Sequence, residues 1–409
     1  MTEPTLPMSP AQQGMYFDSQ LRQSADYHIA IELYTERLSR SRLTQAVSAV
    51  VAEQPALRAS VARNESGPVY MIAESVEAPV RHHDLTGAEE NLDKIFHTAR
   101  HTPFQLNTAP LFRVVAARLP DGDRLLVVCH HLIADGQSVS ILTDRIIDLA
   151  RGTREITASR TDQGLFTYQN GQLSRPSPET LARRESFWSE NLPRHRIPQL
   201  DHWLLASPHE DAAREFRLTV PRDTAEAVRE TAQEAEVSEF TVYLAAFGAL
   251  LAHYAGEDQV SFASPFMDRP HLEMENSIGC FIRTLPVLID VSPGLRVRDL
   301  LERTRSEVMG LWRNLDFPVA RKLSGLSSAG LFDITFIHDA YPELPEGVRA
   351  ATHPDEVHFP GRLTVTIEQL GDNTDIVIWY KESALTAERA ARFAERLLVL
   401  IQQIPTHLD

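Results

Sequence analysis

Two adjacent histidines followed by an aspartate and a glycine are the residues in this chain with the clearest capacity for chemistry. His130 and His131 end the apolar run Leu125–Cys129, and Asp135 and Gly136 follow after three intervening residues. An imidazole can gain or lose a proton near physiological pH, because its ordinary pKa is about 6.5. The spacing therefore marks this region as a candidate site for chemistry.

The segments on either side of the histidines predict how they are held. The run Leu125–Cys129 is typical of a strand buried on both faces. The apolar residues of Ser138–Ala150 recur at helical spacing. A strand would thus deliver an imidazole to a loop, and a helix would begin directly behind it. Backbone N–H groups near Gly136, at the helix start, could then stabilise negative charge that develops on a substrate oxygen.

Two other interpretations of the histidine pair stay open at this point. A single buried histidine is more often a hydrogen-bonded core residue than a catalytic one. Two histidines and an aspartate are also legitimate metal ligands. However, adjacent residues of a strand point to opposite faces, so His130 and His131 do not easily converge on one ion, and we expect no metal.

The strand before the histidines predicts their place in a sheet. Leu111–Leu119 reads as a strand, and Pro120–Asp123 reads as a hairpin turn. The two strands should pair antiparallel, with the histidine strand inside the sheet. A second pair, His82 and His83, precedes Asp84, which we expect to start a turn or cap a helix, and we assign that pair no catalytic role.

Composition limits the class of protein. The chain has 409 residues and a formal net charge of −16, which argues against non-specific binding to nucleic acid or to an anionic membrane. Its two cysteines, Cys129 and Cys280, form no disulfide framework and fit a reducing compartment. With no apolar run long enough for a membrane span and no signal peptide, we expect a soluble cytoplasmic protein.

The length predicts two lobes, with a boundary between about residues 160 and 200. We assign residues 1–175 to an N-terminal lobe that carries the histidine motif and residues 176–409 to a C-terminal lobe.

His130 to Gly136 resembles the His-His-x-x-x-Asp-Gly signature of condensation domains of nonribosomal peptide synthetases, which is shared with the chloramphenicol-acetyltransferase-like superfamily. Ser9–Phe17 is similar to the first motif of that family, and Ile278–Thr284 is similar to its Ile-Gly-x-Phe-Val-Asn-Thr motif. Weaker similarities lie at Leu57-Arg58, Asn314–Pro318 and Gly330–Phe336, so the resemblance covers essentially the whole chain.

The sequence departs from the family pattern at two positions of the later motif. Arg283 stands where asparagine is expected, and Leu288 stands near the usual arginine. These departures bear on acceptor or carrier specificity. No adenylation or carrier sequence is found, so we expect a stand-alone condensation unit.

The resemblance implies an α/β (α+β sandwich) architecture of two chloramphenicol-acetyltransferase-like lobes. They would form a V-shaped pseudo-dimer with a central tunnel. The C-terminal lobe would contribute a crossover or latch, at Pro342–Pro360, and a floor loop around Met274–Pro286.

It also implies an activity: transfer of an acyl, aminoacyl or peptidyl group from the phosphopantetheine thioester of a carrier protein to an amine or hydroxyl. The catalytic group of residues would be His131, His130, Asp135 and Gly136, with His131 as the active imidazole and His130 more structural. Arg58 would pair with Asp135 in a supporting role. We expect Ser138, Gly279 and Arg283 to line the substrate tunnel.

The implied partners are acyl or peptidyl carrier proteins and a small amine or alcohol. Phosphopantetheine would arrive on the carrier, with no cofactor bound to a chain that we expect to be monomeric. Alternatives are a coenzyme A-dependent acyltransferase of the same fold and a catalytically degenerate docking module. Epimerisation lacks its later motifs here, and heterocyclisation is disfavoured because that branch replaces the histidines with aspartates.

Overall fold

The computed structural model describes most of the chain and contains two compact units. The first unit consists of Met1–Arg175, Asp268–Ile282 and Pro342–His353, and the second of Pro176–Met267, Arg283–Tyr341 and Pro354–Asp409. The described residues are 5–22, 24–65, 67–156, 161–173, 177–195, 198, 200, 203, 213–269, 272–315, 333–341, 344–350, 361–371 and 373–408.

The described strands of the first unit form two sheets. They are β1 (Thr5–Pro7), β2 (His28–Thr35), β3 (Ala59–Asn64), β4 (Gly67–Ile72), β5 (Val80–Asp84), β6 (Phe112–Leu119), β7 (Gly122–His130) and β12 (Arg349–Ala350). A three-stranded sheet has the order β1-β4-β3, and a five-stranded sheet has the order β12-β2-β7-β6-β5. The strand that ends in His130 therefore has a neighbour on each side, as predicted.

The helices of the first unit flank the five-stranded sheet. They are α1 (Pro10–Arg22), α2 (Arg40–Glu53), α3 (Leu92–His101), α4 (Gly136–Arg151) and α5 (Gly164–Leu173). Side chains of α2 and α4 share one apolar cluster with Leu125, Val127 and Cys129 of β7. Side chains of α3 share another with Leu126 and Val128, so β7 is covered on both faces. This double burial is the reason for its continuous apolar run.

Local sequence signals set the ends of β7 and of the helix after it. Strands β6 and β7 pair antiparallel, with Leu119 opposite Gly122, so Pro120-Asp121 forms the predicted hairpin turn. Helix α4 ends at Gly152, which adopts a left-handed φ of 82° and donates its N–H to the carbonyl of Asp148. Glycine reaches this conformation without the strain that a Cβ would impose.

The second unit is built on one six-stranded sheet of order β10-β9-β11-β13-β14-β8. Its strands are β8 (Ala213–Val220), β9 (Gln259–Met267), β10 (Ile282–Asp290), β11 (Ile334–Tyr341), β13 (Leu363–Leu370) and β14 (Asn373–Lys381). Its described helices are α6 (Pro178–Asn191), α7 (Arg222–Glu234), α8 (Glu239–Ala255), α9 (Val297–Trp312) and α10 (Ala387–Thr406). Helix α8 is the most buried, with Phe247 and Leu251 in the core of this unit.

Across the described ranges, no single helix meets the criteria for a membrane span, and only α7 and α8 taken together do so, with a bend of 107° between them. Most of α8 is buried inside the second unit.

The mixed α/β class predicted from the sequence is confirmed, and one point of the domain assignment differs from expectation. Helix α5 is held to the first unit by buried Leu165 and Tyr168. Asp84 accepts an N–H from Thr86 in a turn, which is one of its two expected roles. The segments Asp268–Ile282 and Pro342–His353 belong to the first unit. The motif matches at 316–332 lie outside the described residues.

Candidate functional site

The site is built where β7 ends and α4 begins. His130 is the last residue of β7, and Gly136 is the first residue of α4. Asp135 caps the helix, since its carboxylate accepts the N–H of Ser138 at 2.8 Å. Among the described residues no group accepts a hydrogen bond from the N–H of Gly136 or Gln137. The predicted strand, loop and helix therefore leave oriented donors at the helix start.

His130 is buried and its tautomer follows from its contacts. Its Nδ1 atom accepts the N–H of Leu132 at 3.1 Å. The ring proton must then sit on Nε2, which lies 3.4 Å from the hydroxyl oxygen of Ser19 in α1. Burial lowers the pKa of His130 well below its ordinary value, and the nearby His28 and His131 act in the same direction. His130 is thus a neutral structural imidazole.

His131 has a different environment. Its N–H donates to the carbonyl of Tyr27 at 2.7 Å, so the backbone is fixed. The residue is partly exposed, and among the described residues no group meets its Nδ1 in hydrogen-bond geometry. Burial lowers the pKa of His131, while the charge of Asp135 and the carbonyl of Ala134 act in the opposite direction. A neutral imidazole at neutral pH is the form that can accept a proton.

Asp135 has no exposed surface and accepts hydrogen bonds through both of its oxygens. The N–H of Phe281 lies 3.0 Å from one oxygen, and the N–H and hydroxyl of Ser138 lie 2.8 and 2.7 Å from the other. Arg269 donates to both oxygens, at 3.0 and 3.3 Å. A carboxylate held by this many donors fixes the geometry of the loop and is not a proton acceptor for the reaction.

Ser138 and Gly279 contact each other directly through hydrogen bonds. The Ser138 hydroxyl is 2.8 Å from the Gly279 carbonyl oxygen and accepts the Gly279 N–H at 3.1 Å. Ser138 has no exposed surface. The hydroxyl therefore joins α4 to the segment 268–282, and the tunnel-lining roles expected of Ser138 and Gly279 stay predictions.

Gly279 is required by close packing. A Cβ at this position would meet the ring of Phe281 at 2.4 Å. The segment around it is held further by Gln12, whose amide donates to the carbonyl of Cys280 at 3.0 Å, and by Gln54, which accepts the N–H of Ile278 at 2.9 Å. Gln12 belongs to the Ser9–Gln12 capping interaction of α1, so that motif contributes to the site as well.

Arg269 is the functional residue that sequence reasoning missed. Besides Asp135, its guanidinium binds the Ser138 hydroxyl at 3.0 Å and the carbonyls of Met274 and Ser277 at 2.7 and 2.8 Å. It also lies over the ring of Phe281, 4.5 Å from the ring centroid. The one signal in the sequence is the polar pair Asp268-Arg269 directly after the apolar strand β9.

The predicted ion pair between Arg58 and Asp135 is wrong. Arg58 ends a short 3-10 turn after α2, and its guanidinium donates to the backbone carbonyls of Val51, Ala73 and Glu74. A cation at this position satisfies a carbonyl at the end of α2, which favours positive charge. Arg58 supports the fold of the first unit but does not contact the histidine motif.

Arg283 lies on strand β10 and belongs to the second unit, where it is buried. Leu288, further along β10, is buried as well. The structure thus gathers His130, His131, Asp135, Gly136, Ser138 and Gly279 within the first unit, and it leaves a tunnel-lining role for Arg283 as a prediction.

A metal was one alternative for the histidine pair. Within the described ranges, no group of three or more His, Cys, Asp or Glu side chains is arranged to hold a metal ion. In addition, Nδ1 of His130 is occupied by the N–H of Leu132 and its Nε2 carries the proton. The arrangement favours chemistry at His131, which lies in the loop before α4 and whose Nδ1 meets no described partner in hydrogen-bond geometry.

Comparison with known proteins identifies the family to which the chain belongs. The family model described as "Condensation domain" matches residues 2–409. Tyrocidine synthase 3 of Brevibacillus parabrevis is 28% identical over 422 residues, a match that covers 97% of this chain and 6% of the synthase. The phosphinothricin tripeptide synthetase PhsC of Streptomyces viridochromogenes is 25% identical, over 98% of this chain and 39% of the synthetase. The chain thus spans a small part of these relatives.

Solved structures share the fold. The first condensation domain of the calcium-dependent antibiotic synthetase superposes with a TM-score of 0.83 at 17% identity, covering 99% of this chain and 97% of that one. The epimerization domain from the third module of tyrocidine synthetase B also gives 0.83 at 17% identity, covering 100% and 97%. Both similarities concern the fold.

Proposed function

The chain belongs to the condensation domain family, and from this premise we propose that it transfers an acyl, aminoacyl or peptidyl group to an amine, with His131 handling the proton of the acceptor. Condensation domains of nonribosomal peptide synthetases form amide bonds between carrier-bound substrates. They act with carrier protein domains and the phosphopantetheine that these carry. The observation that supports the proposal for this chain is His131, a partly exposed residue in the loop between β7 and α4 whose Nδ1 meets no described partner in hydrogen-bond geometry.

The proposed reaction is a single acyl transfer. The acceptor nitrogen attacks the thioester carbonyl carbon, a C–N bond forms, and the C–S bond breaks. His131 takes the proton that the nitrogen loses and returns it to the departing thiolate. The N–H groups of Gly136 and Gln137 are the candidates for donors to the carbonyl oxygen while it carries negative charge.

The rate is expected to depend on the protonation of His131. Only the neutral imidazole accepts a proton, and burial lowers its pKa from the ordinary value of about 6.5. With an alcohol acceptor, which does not titrate in this range, activity should therefore be constant above neutral pH and fall in acid, through a midpoint below 6.5. A pH profile of kcat/KM measures this. A midpoint above 6.5 would contradict the assignment.

Stability needs a parallel measurement in the same pH range. His130 remains neutral in the folded chain, whereas an unfolded chain binds a proton to it near pH 6.5. The unfolded state thus binds more protons in acid, and the free energy of unfolding decreases as the pH falls below that value. Thermal melts at each pH separate this loss from a change in the chemical step.

The test of the proposal offers acyl-pantetheine thioesters with a panel of amines and alcohols, and product is followed by mass spectrometry. Acyl donors loaded on a carrier protein and on coenzyme A form two further arms. Amide product from the carrier-bound donor supports the proposal, and product from the coenzyme A donor alone favours the alternative acyltransferase. Carrier binding without any product favours a docking module.

The proposal also includes a monomer in the cytoplasm that holds no cofactor of its own and binds neither nucleic acid nor membrane. The net charge of −16 supports the last two points, since phosphate-rich surfaces would repel it. The two cysteines are buried and neither forms a disulfide, which fits a reducing compartment. Light scattering after size exclusion and fractionation of the native source would test oligomeric state and location.

A further inference from the structure

The imidazole of His131 is oriented by its loop. A catalytic histidine is commonly held by a carboxylate or carbonyl that binds its second ring nitrogen. Here no described group meets Nδ1 in hydrogen-bond geometry. Asp135 is instead directed toward Ser138, Phe281 and Arg269. The position of the ring thus depends on how firmly the backbone from His131 to Ala134 is held.

Within the part of the chain that the structure describes, four hydrogen bonds hold that backbone. Two are between backbone groups: the N–H of His131 donates to Tyr27, and the N–H of Ile133 donates to the His130 carbonyl at 3.0 Å. The other two involve side chains, and both act on Leu132. Its N–H donates to the ring of His130, and its carbonyl accepts the hydroxyl of Tyr70 at 2.6 Å.

Tyr70 is suited to this role because it is itself fixed. It lies on β4, the central strand of the three-stranded sheet, opposite Leu6 of β1 and Val61 of β3. Its side chain is fully buried, with 2% of the residue exposed. Burial raises the pKa of its phenol well above the ordinary value, so the hydroxyl keeps its proton and remains a donor throughout the physiological range.

We propose that Tyr70 is a positioning residue for the acyl transfer, acting on His131 through the carbonyl of Leu132. The inference rests on the proposed function for its kinetic consequence, while the positioning itself is structural. The hydroxyl fixes the peptide between Leu132 and Ile133, one residue beyond His131, so its loss would let the loop and with it the imidazole shift. A displacement of about 1 Å at a reacting group is enough to cost about 10²-fold in rate.

The kinetic test is Tyr70→Phe, which removes one oxygen and keeps the ring. We expect kcat to fall about tenfold while KM stays within about twofold, because the change affects the alignment of the base and not the binding of the donor. Tyr243→Phe is the matched control. Tyr243 is also fully buried, in helix α8 of the second unit, but its hydroxyl meets no described partner in hydrogen-bond geometry, so its variant should keep kcat unchanged with little loss of thermal stability.

A second measurement tests positioning without any turnover. Histidine labelled with ¹³C and ¹⁵N reports the ring of His131 by NMR, assigned by comparison with His131→Ala. In Tyr70→Phe we expect the His131 resonances and their titration midpoint to shift, while those of His407, near the C-terminus, stay in place. Unchanged His131 signals, or a stability loss with unchanged kcat, would overturn the proposal. An inactive wild type would count against the proposed function, and the NMR result would still decide the role of Tyr70.

Discussion

Replacing His131 with alanine should lower kcat by about 10²- to 10⁴-fold, the range of contribution of a well-placed general base. The loss should depend on the acceptor. An α-amine with a pKa of about 8 is partly unprotonated at neutral pH and needs less help. An alcohol depends far more on the base. We therefore expect a loss near the lower end of the range for amines and near the upper end for alcohols.

His83→Ala is the matched control for this experiment. His82 and His83 form the other adjacent histidine pair of the chain, on β5, and we assign them no role in the reaction. Rates for both acceptor classes are compared under single-turnover conditions, so that product release does not hide the chemical step. Equal losses for amine and alcohol would contradict proton abstraction by His131.

Replacing Arg269 with alanine should have the largest effect on stability. It would leave Asp135 buried without its cation and would remove the donor to the carbonyls of Met274 and Ser277. Breaking a buried ion pair from one side costs about 3–5 kcal/mol. We expect a free energy of unfolding lower by that amount in urea titrations, together with loss of activity. Arg269→Lys keeps the positive charge but lacks the several N–H donors of the guanidinium. Its free energy of unfolding should therefore lie between those of the wild type and of Arg269→Ala.

Arg58→Ala, compared with Arg269→Ala, tests which of the two arginines supports the histidine loop. It removes a guanidinium of similar burial that binds only backbone carbonyls outside the histidine loop. The variant should lose stability, yet the folded protein should keep its kcat and its His131 titration. If Arg58→Ala instead changed the pH profile while Arg269→Ala did not, the assignment of the Asp135 partner would be wrong.

The part of the site that is local in sequence was predictable. The strand, the loop and the helix around His130, His131 and Gly136 follow from an apolar run, a turn and helical spacing within about 25 residues. Asp135 was predicted to be held by an arginine in a supporting role. An arginine does bind it, but that arginine is Arg269 and not Arg58. The sequence could not predict which arginine binds Asp135. Arg269 is distant from Asp135 in sequence, and only the packing of distant segments brings the two together, while Arg58 binds backbone carbonyls elsewhere.

The same distinction applies to the fold: some elements can be predicted from nearby residues, and others depend on contacts between residues far apart in sequence. Helices that begin at a serine or threonine N-cap, such as α2, α8 and α10, lie where capping residues and periodicity predict them. The assignment of Asp268–Ile282 to the first unit has no local signal. It depends on contacts such as Gln12 with Cys280 and Gln54 with Ile278, more than 200 residues apart in sequence.

That assignment has a consequence for synthesis on the ribosome. Chains begin to fold from the N-terminus as they emerge, domain by domain. The first unit, however, needs Arg269 to neutralise Asp135 and needs β12 to pair with β2. A nascent chain that ends near residue 175 therefore carries the histidine motif on an incomplete core. The loop around His131 should reach its final geometry only after about 350 residues have been made, so an amino-terminal fragment should be inactive and prone to aggregation.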